Sequence, residues 1–184
     1  MTRSALVLVS GGLDSAATLA LYRREEGAIT ALFVDYGQVA AALERAAAHR
    51  VAEHFGVALA EVTCAGLGPY GGGYIRGRNA LLLHIALAAA PFEAGHIAIG
   101  IHGGTPHVDC SIGFVEEMQR DFDVYCNGTM RVVAPFVGWD KREVLEFGRE
   151  EGVPLASTYS CQRGTEPPCG HCLSCLDREA LRVE

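Results

Sequence analysis

Ser10-Gly11-Gly12-Leu13-Asp14-Ser15 decides the fold of this 184-residue chain. The run follows Ala5-Leu6-Val7-Leu8-Val9, an unbroken apolar stretch that reads as a buried parallel strand. It precedes Ala16-Ala17-Thr18-Leu19-Ala20-Leu21-Tyr22, which reads as a helix. A strand, a glycine turn and a helix N-terminus make an anion site. The glycines let backbone N–H groups turn toward a ligand, and the helix dipole favours negative charge there. Ser10 and Ser15 add hydroxyl donors. Asp14 is itself an anion, so it suits Mg²⁺ or a partner base better than a phosphate. The run has no Gly-Lys-Ser/Thr of a Walker A loop and is not the Gly-x-Gly-x-x-Gly of a dinucleotide turn. Nor does Ser15 sit in the Gly-x-Ser-x-Gly of a hydrolase elbow.

In its strand–turn–helix context the full hexapeptide resembles the PP-loop of the ATP pyrophosphatases. That resemblance implies cleavage of ATP to AMP and pyrophosphate while a substrate is activated as an adenylate.

Length allows one domain with a real core. Hydrophobic residues at 49% and charged residues at 20% fit a soluble globular protein. A net charge of −7 argues against wide binding to nucleic-acid backbones, which needs a basic face. No apolar run approaches the roughly 20 residues of a membrane span. Met1-Thr2-Arg3 leads straight into the first strand, and seven cysteines accompany no secretory signal. A reducing cytoplasm is therefore expected, with thiols free or on metal.

Strand-like and helical patterns alternate along the chain. Strands are expected at 28–34, 57–62, 96–101 and 131–134. Helices are expected near 39–55, at 79–90 and at 140–150, the last with Asp140 as N-cap. A glycine-rich loop, with five glycines and one proline between Gly66 and Gly73, interrupts the pattern without ending it. The fold expected is α/β, a doubly wound, mostly parallel, Rossmann-like sheet. Residues 1–157 are expected to form the nucleotide-binding domain and 158–184 a metal-binding tail packed on it. In such sheets ligands bind at the carboxyl ends of the strands. The loops after the first strand, after the second (Asp35-Tyr36-Gly37-Gln38) and after the fourth (Gly100-Ile101-His102-Gly103) should meet there. Alone, Asp35 to Gln38 reads as a turn and N-cap. Beside the PP-loop it reads as part of a nucleotide site.

Cys161, Cys169, Cys172 and Cys175 are spaced C-x7-C-x2-C-x2-C. Four thiolates at this spacing close a tetrahedral shell around Zn²⁺, a structural site. An iron–sulfur cluster is the competing reading. His171 reads as a bystander between two ligands.

With both ends of the chain in view, the sequence resembles the 7-cyano-7-deazaguanine synthases of queuosine biosynthesis. The residues that carry the resemblance are Val9 to Ser15, Val34 to Gln38, Gly77-Arg78-Asn79, Asp109-Cys110, Lys141-Arg142-Glu143-Val144, Ser160-Cys161 and Cys169 to Cys175. It implies ATP, Mg²⁺ and Zn²⁺ as cofactors, and 7-carboxy-7-deazaguanine and ammonia as substrates. A homodimer is the expected assembly. It also implies a catalytic set of Asp14, Ser15, Arg78 and Lys141. The nucleotide would be held by Ser10, Gly11, Gly12, Leu13, Asp14, Ser15, Asp35, Tyr36, Gly37, Gln38 and Asn79. Family members usually carry Arg-His where this chain has Val39-Ala40, Val-Pro where it has Ile75-Arg76, and Arg where it has Ser111. The segment before Gly77 is shorter here. These departures fall on the acceptor side, so a relative that couples the activated base to a protein amine is the alternative.

Overall fold

The computed structural model describes residues 4–25 and 27–183. Met1-Thr2-Arg3, read above as leading into the first strand, and the last residue of the tail lie outside them. Five strands form one parallel sheet in the order β3-β2-β1-β4-β5. They are β1 (Ser4–Leu8), β2 (Ala28–Asp35), β3 (Ala58–Thr63), β4 (Gly95–Ala98) and β5 (Met130–Val133). The helices are α1 (Leu13–Arg24), α2 (Ala41–Phe55), α3 (Arg78–Ala89), α4 (Ile112–Cys126), α5 (Lys141–Glu150) and α6 (Leu173–Ala180).

β1 is central, and Ala5 to Leu8 are buried on both faces. That explains why this strand is an apolar run rather than an alternation. Side chains nonetheless divide by parity. Ala5, Val7 and Val9 join a core with α1, α2 and α5, while Leu6 and Leu8 join a core with α3 and α4. α1 is buried on nearly every side. Its alanines, Ala16, Ala17 and Ala20, let it lie between the sheet and two other helices.

Two helices and the end of one strand lie outside the sequence reading. α4 was legible in principle, since Phe114, Met118 and Phe122 recur on one face and Ser111 caps it, accepting from Phe114 N–H at 3.2 Å. α6 emerges from the cysteine tail, where residue spacing tells of a metal and not of a helix. β4 ends at Ala98, three residues before the expected end, because the chain turns there to enter the cleft. Asp140 caps α5 as expected, in a reciprocal capping box with Glu143.

The chain runs outward from β1 to β3, then returns to place β4 on the other side of β1. Strand order therefore reverses between β1 and β4, which opens a crevice at their carboxyl ends. Among the described residues no helix is long and apolar enough to cross a membrane.

Candidate active site

A cleft of about 280 Å³ lies at that crevice. Its floor is apolar, from Leu8, Leu32, Val34, Ile99 and Ile101. Ser10, Gly12, Leu13, Asp14 and Ser15 form one wall. The loop is tied to itself before any ligand arrives. Ser15 Oγ accepts from Ser10 N–H at 3.2 Å and donates to the Gly12 carbonyl at 3.0 Å. Gly11 faces the other way, with φ of +82°, where a Cβ would stand 2.7 Å from Ala47 and the Glu44 carbonyl. Only glycine permits this approach of the loop to α2.

Lys141 opens α5, and its Nζ donates to both oxygens of Asp14 at 2.6 Å. The pair is about one-quarter exposed and joins residues far apart in sequence. Asp14 thus has the partner base that its place in the loop suggested. Arg78 also lines the cleft, but on the opposite wall. Its Nε donates to Asn79 Oδ1 at 3.2 Å, and its guanidinium lies beside Tyr36 and Glu44. Asn79 is buried and holds the Asp109 carbonyl through Nδ2 at 3.0 Å. Tyr36 and Gln38 line the cleft, whereas Asp35 and Gly37 do not. Asp35 instead accepts from Gly37 N–H and pairs with Arg45 at 2.8 Å. Gly37 is packed on the backbone of Leu67.

The loop after β4 reaches the cleft as expected, bringing His102, while other wall residues lie beyond what the motifs mark. Glu44 accepts from Gln38 Nε2 at 3.0 Å, and burial pushes its carboxyl above the usual range. His102, at the end of the β4 loop, is 8% exposed. The tail supplies Tyr159, Ser160, Gln162, Ser174, Asp177 and Arg178. Residues flanking metal ligands carry no periodic signal, so only the folded tail shows that they reach the cleft. The tail is fastened to the PP-loop itself, with Tyr159 N–H donating to the Gly11 carbonyl at 2.9 Å.

The glycine segment forms the roof. Tyr70 is pinned, its N–H donating to the Gly37 carbonyl at 2.8 Å and its ring tilted against Tyr36. Tyr74 is exposed and stacks on His107 at 5.1 Å, both lining the cleft.

Cys161, Cys169, Cys172 and Cys175 come together, with all four Sγ atoms within 4.8 Å of one another. Four sulfurs at about 2.3 Å from one ion stand roughly 3.8 Å apart. Cys169 and Cys175 are already at 3.9 Å. Burial raises the Cys161 thiol, but backbone N–H groups, including that of Cys169 at 3.4 Å, outweigh it and bring the thiol down to about 5. Burial and neighbouring sulfurs push Cys175 up to about 12. The donor set fits a closed metal site.

Comparison with known proteins agrees with this geometry. The family model described as "Queuosine biosynthesis protein QueC" matches residues 4–72 and 69–182. The chain belongs to the QueC family. It is 37% identical to a 7-cyano-7-deazaguanine synthase of Aquifex aeolicus, over 96% of this chain and 95% of that one. It is 35% identical to the synthase of Persephonella marina, over 97% and 92%. The Aquifex alignment spans 208 residues against the 184 of this chain, so the relative carries positions that this chain lacks. The two matched pieces of the family model meet within 69–72, inside the glycine segment. Among solved structures, an NMN synthetase from Francisella tularensis superposes with a TM-score of 0.56 at 18% identity, over 83% of this chain and 62% of that one. A U34-tRNA thiolase from Methanococcus maripaludis superposes with 0.53 at 14%, over 96% and 64%. These two share the fold.

Proposed function

We propose that this chain converts 7-carboxy-7-deazaguanine to 7-cyano-7-deazaguanine with ATP and ammonia. The observation that carries the reading is the Lys141–Asp14 pair on a PP-loop at the switch point, in a chain of the QueC family. A substrate carboxylate oxygen attacks the α-phosphorus of ATP, and the bond to pyrophosphate breaks. Ammonia then attacks the acyl carbon of the adenylate and AMP leaves, giving the amide. The amide oxygen attacks the α-phosphorus of a second ATP, and pyrophosphate leaves again. Loss of AMP and of both amide protons leaves the nitrile.

The protein's task is to position anions and to stabilise charge that develops on phosphate. Backbone N–H groups and hydroxyls of Ser10 to Ser15 hold the phosphates that depart as pyrophosphate. Lys141 exchanges Asp14 for a phosphate oxygen. Arg78, across the cleft, offers its fork to the substrate carboxylate. Val34, Tyr36, Gln38 and Asn79 frame the base-binding end. Mg²⁺ fits with the triphosphate, where Asp14 and Asp177 are the nearby carboxylates and the ion would neutralise phosphate charge. Zn²⁺ on the four cysteines would hold the tail in place and take no part in the chemistry. A cytoplasmic location, a homodimer and the division into 1–157 and 158–184 belong to the same proposal. No observation favours a protein amine as acceptor.

The test is mass spectrometry of products from ATP, 7-carboxy-7-deazaguanine and ammonia. Nitrile with two AMP per turnover is expected. Asp14→Ala and Ser15→Ala should abolish AMP release in folded protein. ADP and orthophosphate as products would sink the reading.

A further inference from the structure

We propose that His102 is a catalytic residue that donates a hydrogen bond from Nε2–H, as a neutral imidazole, to the α-phosphoryl group during adenylation. The role rests on the function proposed above. Its ground is the local geometry of the β4 loop. Gly104 N–H donates to His102 Nδ1 at 3.2 Å. A nitrogen that accepts carries its lone pair there, so the ring proton of the neutral form is on Nε2. The ring lies close against Gly104. A Cβ at Gly104 would stand 3.1 Å from Nδ1 and 3.4 Å from the Asp140 Cα. Nε2 therefore points away from its own loop, and no described residue bonds it. His102 is more than nine-tenths buried and lines the cleft.

The loop that carries it is locked to the phosphate side. At Gly100, two residues upstream, a Cβ would meet the Asp14 carbonyl at 2.6 Å and Ser15 N at 2.8 Å. The groups facing the ring are Asp14 from α1, Lys141 from α5 and its cap Asp140, and Asp177 from α6. Burial is the largest influence and holds the imidazole below its usual pKa. The ring stays neutral near pH 7.

Adenylation needs such a donor and no base. The carboxylate oxygen forms a bond to phosphorus. The bond between phosphorus and the pyrophosphate oxygen breaks, and its electron pair leaves with pyrophosphate. No proton moves. A fixed N–H aimed at the phosphoryl oxygen stabilises charge that grows in the transition state.

The experiment follows AMP release from ATP, 7-carboxy-7-deazaguanine and ammonia, with ATP affinity by calorimetry and unfolding midpoints recorded beside it. His102→Ala should lower kcat about 100-fold, the scale of one lost oxyanion donor, and change the ATP Kd less than threefold. His102→Gln places an amide N–H near the Nε2 position and should recover at least tenfold over alanine. Gly104→Ala, which crowds the ring, should lower kcat in the wild-type background and cost nothing further when His102 is already alanine. This second route stands even where His102→Ala folds poorly. The proposal is overturned if alanine stays within threefold of wild type, or if glutamine is as inactive as alanine. Wild type that forms no AMP overturns the adenylation reading, and this role with it, in the wild-type assay alone.

Discussion

Glycines on the two sides of the cleft do opposite work. On the phosphate side they allow close approach. A Cβ at Gly11 or Gly100 would overlap backbone of another element at 2.6 to 2.7 Å. In the roof, Gly66, Gly71 and Gly73 would meet nothing within 4 Å. One set lets α1, α2, β4 and the tail clamp a single loop. The other leaves free backbone at Gly66, Gly71 and Gly73 between two points that hold the roof, Gly68 against Gly37 and Gly72 against Gln162. The lesson is that a glycine count does not separate rigidity from slack; the neighbours do.

The largest expected effect is on the clamped side. Cys172→Ser should remove the metal and release the tail, because metal affinity at such a site is folding energy. Hydrogen exchange should rise in 158–183 and, through the Tyr159–Gly11 bond, in the PP-loop. Metal analysis decides the ion, and visible absorbance of an iron–sulfur cluster in the wild type would replace zinc in this account. Unchanged exchange at Ser10 to Ser15 would break the idea that the tail clamps the loop.

Gly100→Ala comes next. Its Cβ must push α1 from β4, an overpacking worth about 1–3 kcal/mol, with the unfolding midpoint lowered by roughly 2–10 °C. ATP affinity should fall with it. An unaltered midpoint would show that the phosphate side yields more than its contacts suggest.

Glu44→Gln tests the wall that meets α2. Burial raises the native pKa of Glu44, so the folded state holds its proton more tightly than the unfolded chain does. This favours the wild type below the unfolded value of about 4.5 and is lost as pH rises through the raised native value. Thermal unfolding from pH 4 to 8 should show the variant gaining on wild type toward the alkaline end. A constant difference across that range counts against a costly buried charge.

Gly71→Ala should do least. With open space at Cβ and no positive φ, alanine removes only slack, and stability should move by about 0.5 kcal/mol or less. Exchange in 66–76 should slow slightly. A large loss would show that the roof closes tightly on its ligand.

Much of this was legible in the sequence because its signals are local. The strand–glycine–helix run, the capping box at Asp140 and the cysteine spacing each occupy a few adjacent residues. Lys141 came from resemblance, and only the packing of α5 on α1 shows why its side chain meets Asp14. His102 was legible only as part of the loop after the fourth strand, with no role of its own, and Glu44 had no local mark. One follows a strand that ends early, and the other lies in the first turns of an alanine-rich helix. Their value comes from what faces them. Arg178, half-buried in the tail and bonded to Thr158 Oγ1 at 2.7 Å, was hidden for the same reason.

The position of β1 between β2 and β4 has a consequence for the chain as it is made. β2 emerges soon after β1, but β4 begins only at Gly95. Until then one edge of the most apolar strand is unpaired, the condition in which nascent chains aggregate and call on chaperones. The cleft waits longer still, since Ser160 and Arg178 belong to its wall. A ribosome-bound chain that has not yet released them holds a PP-loop but no closed site. The cleft is thus completed only once synthesis has passed the last cysteine and Arg178.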